Sequence, residues 1–409
     1  MTLHVVGAGL AGLAAAVHAA SRGQLVTLYE ASGQAGGRCR SFFDAGLDAT
    51  IDNGTHLILG ANKGVFAYLR SIGAPGALTP IEAAFPFFDI TTGARWTLRP
   101  GHPGSLAGTG AGWRDLGGLV RLWRAGPQEV VSRCLDPKSA LYHRFWHPLT
   151  LAALNTDPEE ASAKLLWRVT WEALLRGPGA GRPYLATEGL SAALVTPALA
   201  YLAERGATIR YSAQLRGMER GEGGRVTGLR FGDETVEVAP GDGIILAVPP
   251  WIAAPLLPGV AVPTLSRAIV NAHFHLTPRA DLPGGLLGLI GGTAQWMFTR
   301  GEILSITVSG ADELTALPAE DIATLLWADA ARALGRPAKP VPLYRVIKER
   351  RATIAHTPSE MALRPRPDVD GGGNLWLAGD WTDTGLPCTI DGALRSGLAA
   401  GKKAVRKTR

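Results

Sequence analysis

An α/β fold with a second, α+β part is what this 409-residue sequence predicts, and three observations carry that reading. A glycine-spaced strand-to-helix turn opens the chain, short strands with hairpin turns fill its middle, and a strand, a Gly-Asp turn and a helix close it. With 46% hydrophobic and 19% charged residues, the composition suits a globular chain with two apolar cores rather than a disordered one.

The first strand runs from Leu3 to Val6 and is followed by Gly7, Gly9 and Gly12. Gly7 permits the sharp turn, Gly9 lets the backbone approach a pyrophosphate, and Gly12 lets the helix pack tightly on its strand. The helix begins with Leu10 and Ala11, whose free N–H groups and positive dipole end suit phosphates. A second apolar strand, Leu25 to Tyr29, ends at Glu30, where a carboxylate accepts ribose hydroxyls and repels a 2′-phosphate. Gly36-Gly37-Arg38 then adds a second glycine turn and a cation beside the same pyrophosphate, which selects FAD over NAD. These features predict a Rossmann-like FAD-binding domain.

Val5 to Ala20 is apolar enough to imitate a signal peptide, but it lacks a basic n-region and its glycines keep the fingerprint spacing. No other stretch reaches the ~20 apolar residues of a spanning helix. Cys39, Cys134 and Cys388 are few, odd in number and scattered, which favours a reducing cytoplasm and no metal. The net charge of +6 is dispersed apart from the tail Lys402, Lys403, Arg406, Lys407 and Arg409, so no nucleic-acid partner is expected. That tail reads either as a helix C-terminus matched to the macrodipole or as attraction to anionic lipid.

Asp52-Asn53-Gly54-Thr55-His56 lies near the end of the first unit, and Phe85 to Leu98 forms a hairpin about Thr91-Thr92-Gly93. Gly112 to Gly126 places Leu116, Leu119, Val120 and Trp123 on one helical face, with Arg114, Arg121 and Arg124 off it. That face either packs on its own domain or touches a membrane. Asp157-Pro158-Glu159-Glu160 predicts a helix start, running to about Arg176, and Leu190 to Arg205 predicts another. Strands follow at Thr208 to Tyr211, Gln214 to Glu219, Arg225 to Phe231, Thr235 to Val238 and Ile244 to Val248. Ile269 to Leu276 alternates, with Asn271, His273 and His275 opposite Val270, Ala272, Phe274 and Leu276. Gly288 to Phe298 and Ile303 to Val308 complete an antiparallel sheet, and Asp312 to Leu334 is helical. Leu375 to Leu377 is the last strand; it enters Ala378-Gly379-Asp380-Trp381, and a helix starts near Thr389-Ile390-Asp391-Gly392-Ala393. The Asp380 carboxylate suits a ribityl hydroxyl, and the helix N-terminus suits negative charge at the flavin N1 and C2 carbonyl.

The fingerprint with Glu30 and Gly36-Gly37-Arg38, the late Gly379-Asp380 and the Gly392-Ala393 to Gly397 pattern resemble the flavin-containing amine oxidase and phytoene desaturase superfamily. Within it, Asp52 to Asn62, Gln295-Trp296-Met297-Phe298, Arg351-Ala352-Thr353 and Gly379 to Pro387 resemble the hydroxysqualene dehydroxylase family. The resemblance covers essentially the whole chain. It implies an FAD domain assembled from 1–80, 205–255 and 340–409, with a substrate domain made of 81–204 and 256–339. It also implies non-covalent FAD, with Gly54, Thr55 and His56 facing the isoalloxazine, Leu215 meeting the adenine through its backbone, and Thr389, Ile390 and Ala393 at the pyrimidine end.

The implied reaction is reductive removal of the hydroxyl of hydroxysqualene to give squalene, in bacterial hopanoid-type isoprenoid synthesis. Its setting is the cytoplasm, with peripheral contact at the inner membrane face as an option. An acid must protonate the hydroxyl before hydride reaches the allylic cation. Asp383 and His56 are the candidates; a carboxyl in an apolar pocket keeps its proton, though Asp383 also reads as a turn or cap carboxylate. Cys388 departs from the small residue expected there, and a covalent flavin link through it is a minor alternative. His143 and His147 read as a packed patch around Trp146, Glu349 and Arg351 as a structural pair, and Tyr184 as a candidate pocket wall. Without a second glycine fingerprint, the flavin needs an external reductant. A carotenoid-type desaturase, an amine oxidase using Lys348 beside the flavin, and a prenyl-binding carrier resembling Rab GDP-dissociation inhibitors stay open as alternatives.

Overall fold

Five parallel strands make the first sheet, in the order Thr208–Arg210, Leu25–Tyr29 (β2), Thr2–Val6 (β1), Gly243–Leu246 and Leu375–Leu377. Gly243–Leu246 and Leu375–Leu377 are fully buried apolar runs, as in strands covered on both faces. Val5 sits opposite Leu28 on one side and Ile245 on the other. The computed structural model describes residues 1–101, 106–112, 115–177, 179–369 and 373–407; the expectations for Arg114 and Arg409 lie outside them.

Helix Leu10–Ala20 (α1) is rich in alanine and buried almost all round. It packs directly on the C-terminal helix Ile390–Lys407, where a Cβ on Gly397 would stand 2.0 Å from the Ala11 carbonyl oxygen. The end of the chain therefore closes on its beginning. Leu190, Leu194, Ala198 and Leu202 belong to this same core. Residues 190–203, placed with the substrate domain by the sequence reading, thus cover the parallel sheet instead.

The second sheet has seven strands, in the order Tyr344–Ile354, Ser266–His275, Ile303–Ser309, Trp296–Arg300, Leu286–Ile290, Phe85–Asp89 and Arg95–Leu98. All its pairings are antiparallel except Leu286–Ile290 with Phe85–Asp89. Helix Ala319–Leu334 covers one face, bringing Trp327 within 5.5 Å of the Phe274 ring.

Gly288 to Phe298 is not one strand: the chain reverses at Gly291 (φ 81°), and Asp329 Oδ2 accepts the amides of Thr293 and Ala294 at 2.7 and 2.9 Å. Tyr344–Ile354, grouped with the FAD domain, pairs with Ser266–His275 from Phe274 opposite Tyr344 to Ser266 opposite Ile354. Its charged run hid it, because much of this edge strand is solvent-facing. The helix expected from Asp157 starts at Ala163, capped by Ser162, while the Asp157 carbonyl accepts the Glu160 and Ala161 amides to close a turn. The cause is tertiary: the Ser162 amide donates to the His356 carbonyl at 2.8 Å and the Ala163 amide to Glu129 at 2.9 Å, pulling this backbone out of the helix.

Helix Asp115–Trp123 is rotated from expectation. Gly118 and Leu122 are its buried residues, whereas Leu116, Val120 and Trp123 are 65%, 47% and 56% exposed. Gly118 lets Leu135 approach closely, and Arg121 Nε donates to the Cys134 carbonyl at 2.8 Å, so the helix docks through its glycine. Among the described residues no helix is long and apolar enough to cross a membrane.

Candidate functional site

The opening turn has the geometry its glycines demand. The Gly7 amide donates to the Tyr29 carbonyl at 2.7 Å with φ at 105°, a conformation suited to glycine. A Cβ on Gly12 would lie 1.8 Å from the Gly7 carbonyl oxygen, so α1 sits against its own strand turn. At Gly9, by contrast, a Cβ would meet no protein atom within 4 Å. No side chain caps α1. Its first N–H groups are left for a ligand, in the cradle that a pyrophosphate requires.

The second glycine turn is part of this cradle. The Gly36 amide donates to the Ala8 carbonyl at 2.9 Å, and a Cβ on Gly37 would lie 3.4 Å from the Gly9 Cα. Glu30 accepts the Ala8 amide at 2.9 Å through Oε2, and the Ser32 amide and hydroxyl through Oε1. It ends β2 beside the turn, partly exposed. Leu215 is buried opposite Phe231, whose ring stacks on Tyr29 at 4.5 Å. That places Leu215 in the core under the Glu30 side of the cradle.

The C-terminal segment joins here. Arg38 Nη2 donates to both Asp380 carboxylate oxygens at 2.8 Å, and its Nη1 donates to the Ala352 carbonyl. Burial works against the Arg38 charge, but the Asp380 carboxylate outweighs it and raises the guanidinium pKa above its ordinary value. Trp381 is buried, donating Nε1–H to the Val248 carbonyl at 2.9 Å, and a side chain on Gly379 would collide with its indole at 2.5 Å. Thr389 Oγ1 accepts the Gly392 amide at 3.1 Å and so caps the C-terminal helix, whose Ile390 and Ala393 pack into the core around α1. The donor set, the open space at Gly9 and the uncapped helix fit FAD.

Gly54 lies against the Asn271 amide, 2.9 Å from where its Cβ would be, and Thr55 and His56 follow, partly exposed. Asn271 Nδ2 donates to the Asn53 carbonyl at 3.4 Å, so the seven-stranded sheet meets the FAD domain at this segment. Desolvation, reinforced by the Arg38 cation and opposed by Asp52, lowers the His56 pKa to about 4. His56 is therefore a neutral imidazole near pH 7. Asp383 is exposed, with its amide donating to the Pro365 carbonyl at 2.8 Å. The protein's own residues do not form the apolar enclosure expected around it, because the turn is pinned by its backbone with the side chain left at the surface.

Glu349 and Arg351 do not pair. Glu349 accepts from Asn53 Nδ2 at 3.3 Å, while the Arg351 guanidinium lies 5.1 Å from the Trp251 ring centre. Lys348 donates its ammonium to the Thr315 and Leu317 carbonyls and is taken up there. His143 and His147 flank the Tyr142 ring in a packed patch, and Tyr184 meets Phe66 edge-on at 4.8 Å. Cys388 donates its amide to His356 Nε2 at 2.8 Å, and burial pushes its thiol up to about 12.

Two site-supporting residues escaped the sequence reading, His356 and Arg364, both buried and both gripping the turn that follows Gly379. They flank helix Pro358–Ala362, whose Thr357 accepts the Glu360 amide at 3.3 Å. The Thr357-Pro358 helix start was the available signal, although the Glu360 carboxylate turns instead to the Thr264 and Leu265 amides.

The chain matches the family described as flavin containing amine oxidoreductase over residues 10–403. It is 44% identical to a hydroxysqualene dehydroxylase of Sinorhizobium fredii across 99% of both chains. A hydroxysqualene dehydroxylase of Zymomonas mobilis is 36% identical across 98% of both. Among solved structures, putrescine oxidase bound to putrescine superposes with a TM-score of 0.70 at 17% identity, covering 99% of each chain, and so shares the fold.

Proposed function

This chain belongs to the flavin-containing amine oxidoreductase family and to the hydroxysqualene dehydroxylase group within it, and from that premise we propose that it reductively removes the hydroxyl of hydroxysqualene to give squalene. The observation that carries the substrate is the full-length identity to the S. fredii dehydroxylase. Against an amine substrate stands the engagement of Lys348 at the Thr315 and Leu317 carbonyls.

In this reading the Gly7–Gly12 turn with Leu10 and Ala11, together with Gly36, Gly37 and Arg38, binds the pyrophosphate. Glu30 binds the ribose, the Leu215 backbone meets the adenine, and Asp380 takes a ribityl hydroxyl. Thr389, Ile390 and Ala393 bring the helix N-terminus to the pyrimidine end, and Gly54, Thr55 and His56 face the ring. FAD is held non-covalently, in keeping with a Cys388 thiol that stays protonated. When bound and reduced by an external donor, FAD supplies the hydride.

The chain supplies the proton and the enclosure. Asp383 protonates the hydroxyl, the C–O bond breaks to release water, and a C–H bond forms at the allylic carbon. With its side chain exposed, Asp383 relies on the long apolar substrate to exclude water from it. His56, neutral, orients the hydroxyl rather than acidifying it. The exposed stripe Leu116, Val120 and Trp123, with the Arg124 guanidinium 5.6 Å from the Trp123 ring centre, contacts the cytoplasmic face of the membrane, where such a substrate resides.

The test is anaerobic incubation of FAD-loaded, chemically reduced protein with hydroxysqualene. Squalene should form as the flavin is oxidised. No squalene, alongside turnover of an amine or a carotene, would overturn the assignment.

A further inference from the structure

We propose that Arg364 is the positioning residue of the cofactor turn at 379–387. Its side chain is nine-tenths buried behind that turn. Nη1 donates to the Leu386 carbonyl at 2.7 Å, and Nη2 donates to the Asp380 carbonyl at 2.7 Å, to the Thr382 carbonyl, and to Thr384 Oγ1 at 3.1 Å. Nε has no hydrogen-bond partner, and among the described residues no carboxylate forms an ion pair with this guanidinium.

A buried cation offset only by carbonyl dipoles is expensive, and an apolar side chain would fill the same space at lower cost. What an apolar residue cannot do is hold several carbonyls of one turn from a single planar fork. His356 completes the grip. Fully buried, it donates Nδ1–H to the Leu154 carbonyl, which leaves the Nε2 lone pair to accept the Cys388 amide at 2.8 Å. Residues 380, 382, 384, 386 and 388 are thereby anchored from the two ends of helix Pro358–Ala362. With the Asp380 carbonyl fixed from behind, its carboxylate is held at the Arg38 guanidinium, 2.8 Å away.

Arg364 therefore acts on FAD affinity through Asp380. The inference rests on the FAD reading of that carboxylate and not on the identity of the substrate.

The experiment is a double-mutant cycle read by FAD titration, with melting of each apoprotein as a control. Arg364→Lys keeps a cation but cannot span the carbonyls, and it should weaken FAD binding roughly tenfold or more in the wild-type background. In the Asp380→Asn background the same change should alter affinity by less than roughly twofold. An equal loss in both backgrounds, or none in the wild type, overturns the proposal. Failure of the unaltered protein to bind FAD overturns the cofactor reading and this inference with it. Should Arg364→Lys not fold, hydrogen exchange on the unaltered apoprotein decides: the amides of Thr382, Asp383, Leu386 and Cys388 should exchange slowly, and free exchange there refutes the grip.

Discussion

Adding one methyl group at Gly9 or at Gly12 should have different consequences, although the two glycines stand three residues apart in one turn. A glycine-to-alanine change inside a helix ordinarily stabilises by about 0.8–1 kcal/mol. At Gly12 the new Cβ would lie 1.8 Å from the Gly7 oxygen, 3.0 Å from the Gly7 carbonyl carbon and 3.3 Å from the Ala247 Cβ. Two of these atoms are backbone and cannot rotate away, so overpacking of about 1–3 kcal/mol should exceed the helical gain. Gly12→Ala should melt lower than the parent as apoprotein. At Gly9, φ −72° and ψ 176° suit alanine, and no atom lies within 4 Å of the methyl. At this N-cap position the roughly 0.4–1 kcal/mol gained through the unfolded chain is offset by alanine's poorer capping preference, so the apoprotein of Gly9→Ala should melt close to the parent. Its FAD affinity should nonetheless fall roughly tenfold or more, because the methyl occupies the approach of the pyrophosphate. Thermal melting of both apoproteins and fluorescence titration with FAD separate the two effects. Wild-type FAD affinity in Gly9→Ala, or an unchanged melting temperature in Gly12→Ala, would refute the reasoning.

Three further outcomes are expected. Desolvation lowers the pKa of buried His273 and His356 to about 4, so below the ordinary 6.5 the unfolded chain binds protons that the native rings refuse. Their stability is complete above pH 6.5 and is lost as pH falls toward 4, by roughly 2 kcal/mol per ring between pH 7 and 5. The urea midpoint should drop over that interval, and drop less in His356→Gln; a flat profile would contradict it. Asp383→Asn should lose most dehydroxylation while keeping FAD, measured as squalene formed per bound flavin, and unchanged turnover would remove Asp383 from the chemistry. Replacing Leu116 and Trp123 by serine should reduce co-sedimentation with anionic vesicles severalfold without lowering the melting temperature, since both side chains are exposed. Equal binding by parent and variant would place any membrane contact elsewhere.

The elements legible in the sequence were those whose pattern is local. Strand Leu375–Leu377 and hairpin Phe85 to Leu98 stand where apolar runs and turn residues put them. The illegible ones answer to partners far along the chain. Tyr344–Ile354 is a strand because Ser266–His275 offers it a ladder, despite a Lys-Glu-Arg-Arg run that breaks the apolar alternation of a strand. Ser162 displaces Asp157 as a helix cap because His356 takes its backbone amide. Helix Asp115–Trp123 turns Leu116, Val120 and Trp123 outward because it docks through Gly118 and Leu122, where Gly118 allows a close contact with Leu135.

The same division runs through the site. By itself the sequence determined the cradle, since glycine spacing, the carboxylate of Glu30 and the start of the last helix are local consequences of backbone sterics and helix electrostatics. Tertiary structure alone decided that Arg38 and Asp380 face each other, that His56 is neutral, that Asp383 is exposed and that Arg364 is buried behind the turn. Charge state and orientation depend on burial and on neighbours brought together only by folding, and no spacing along the chain encodes them.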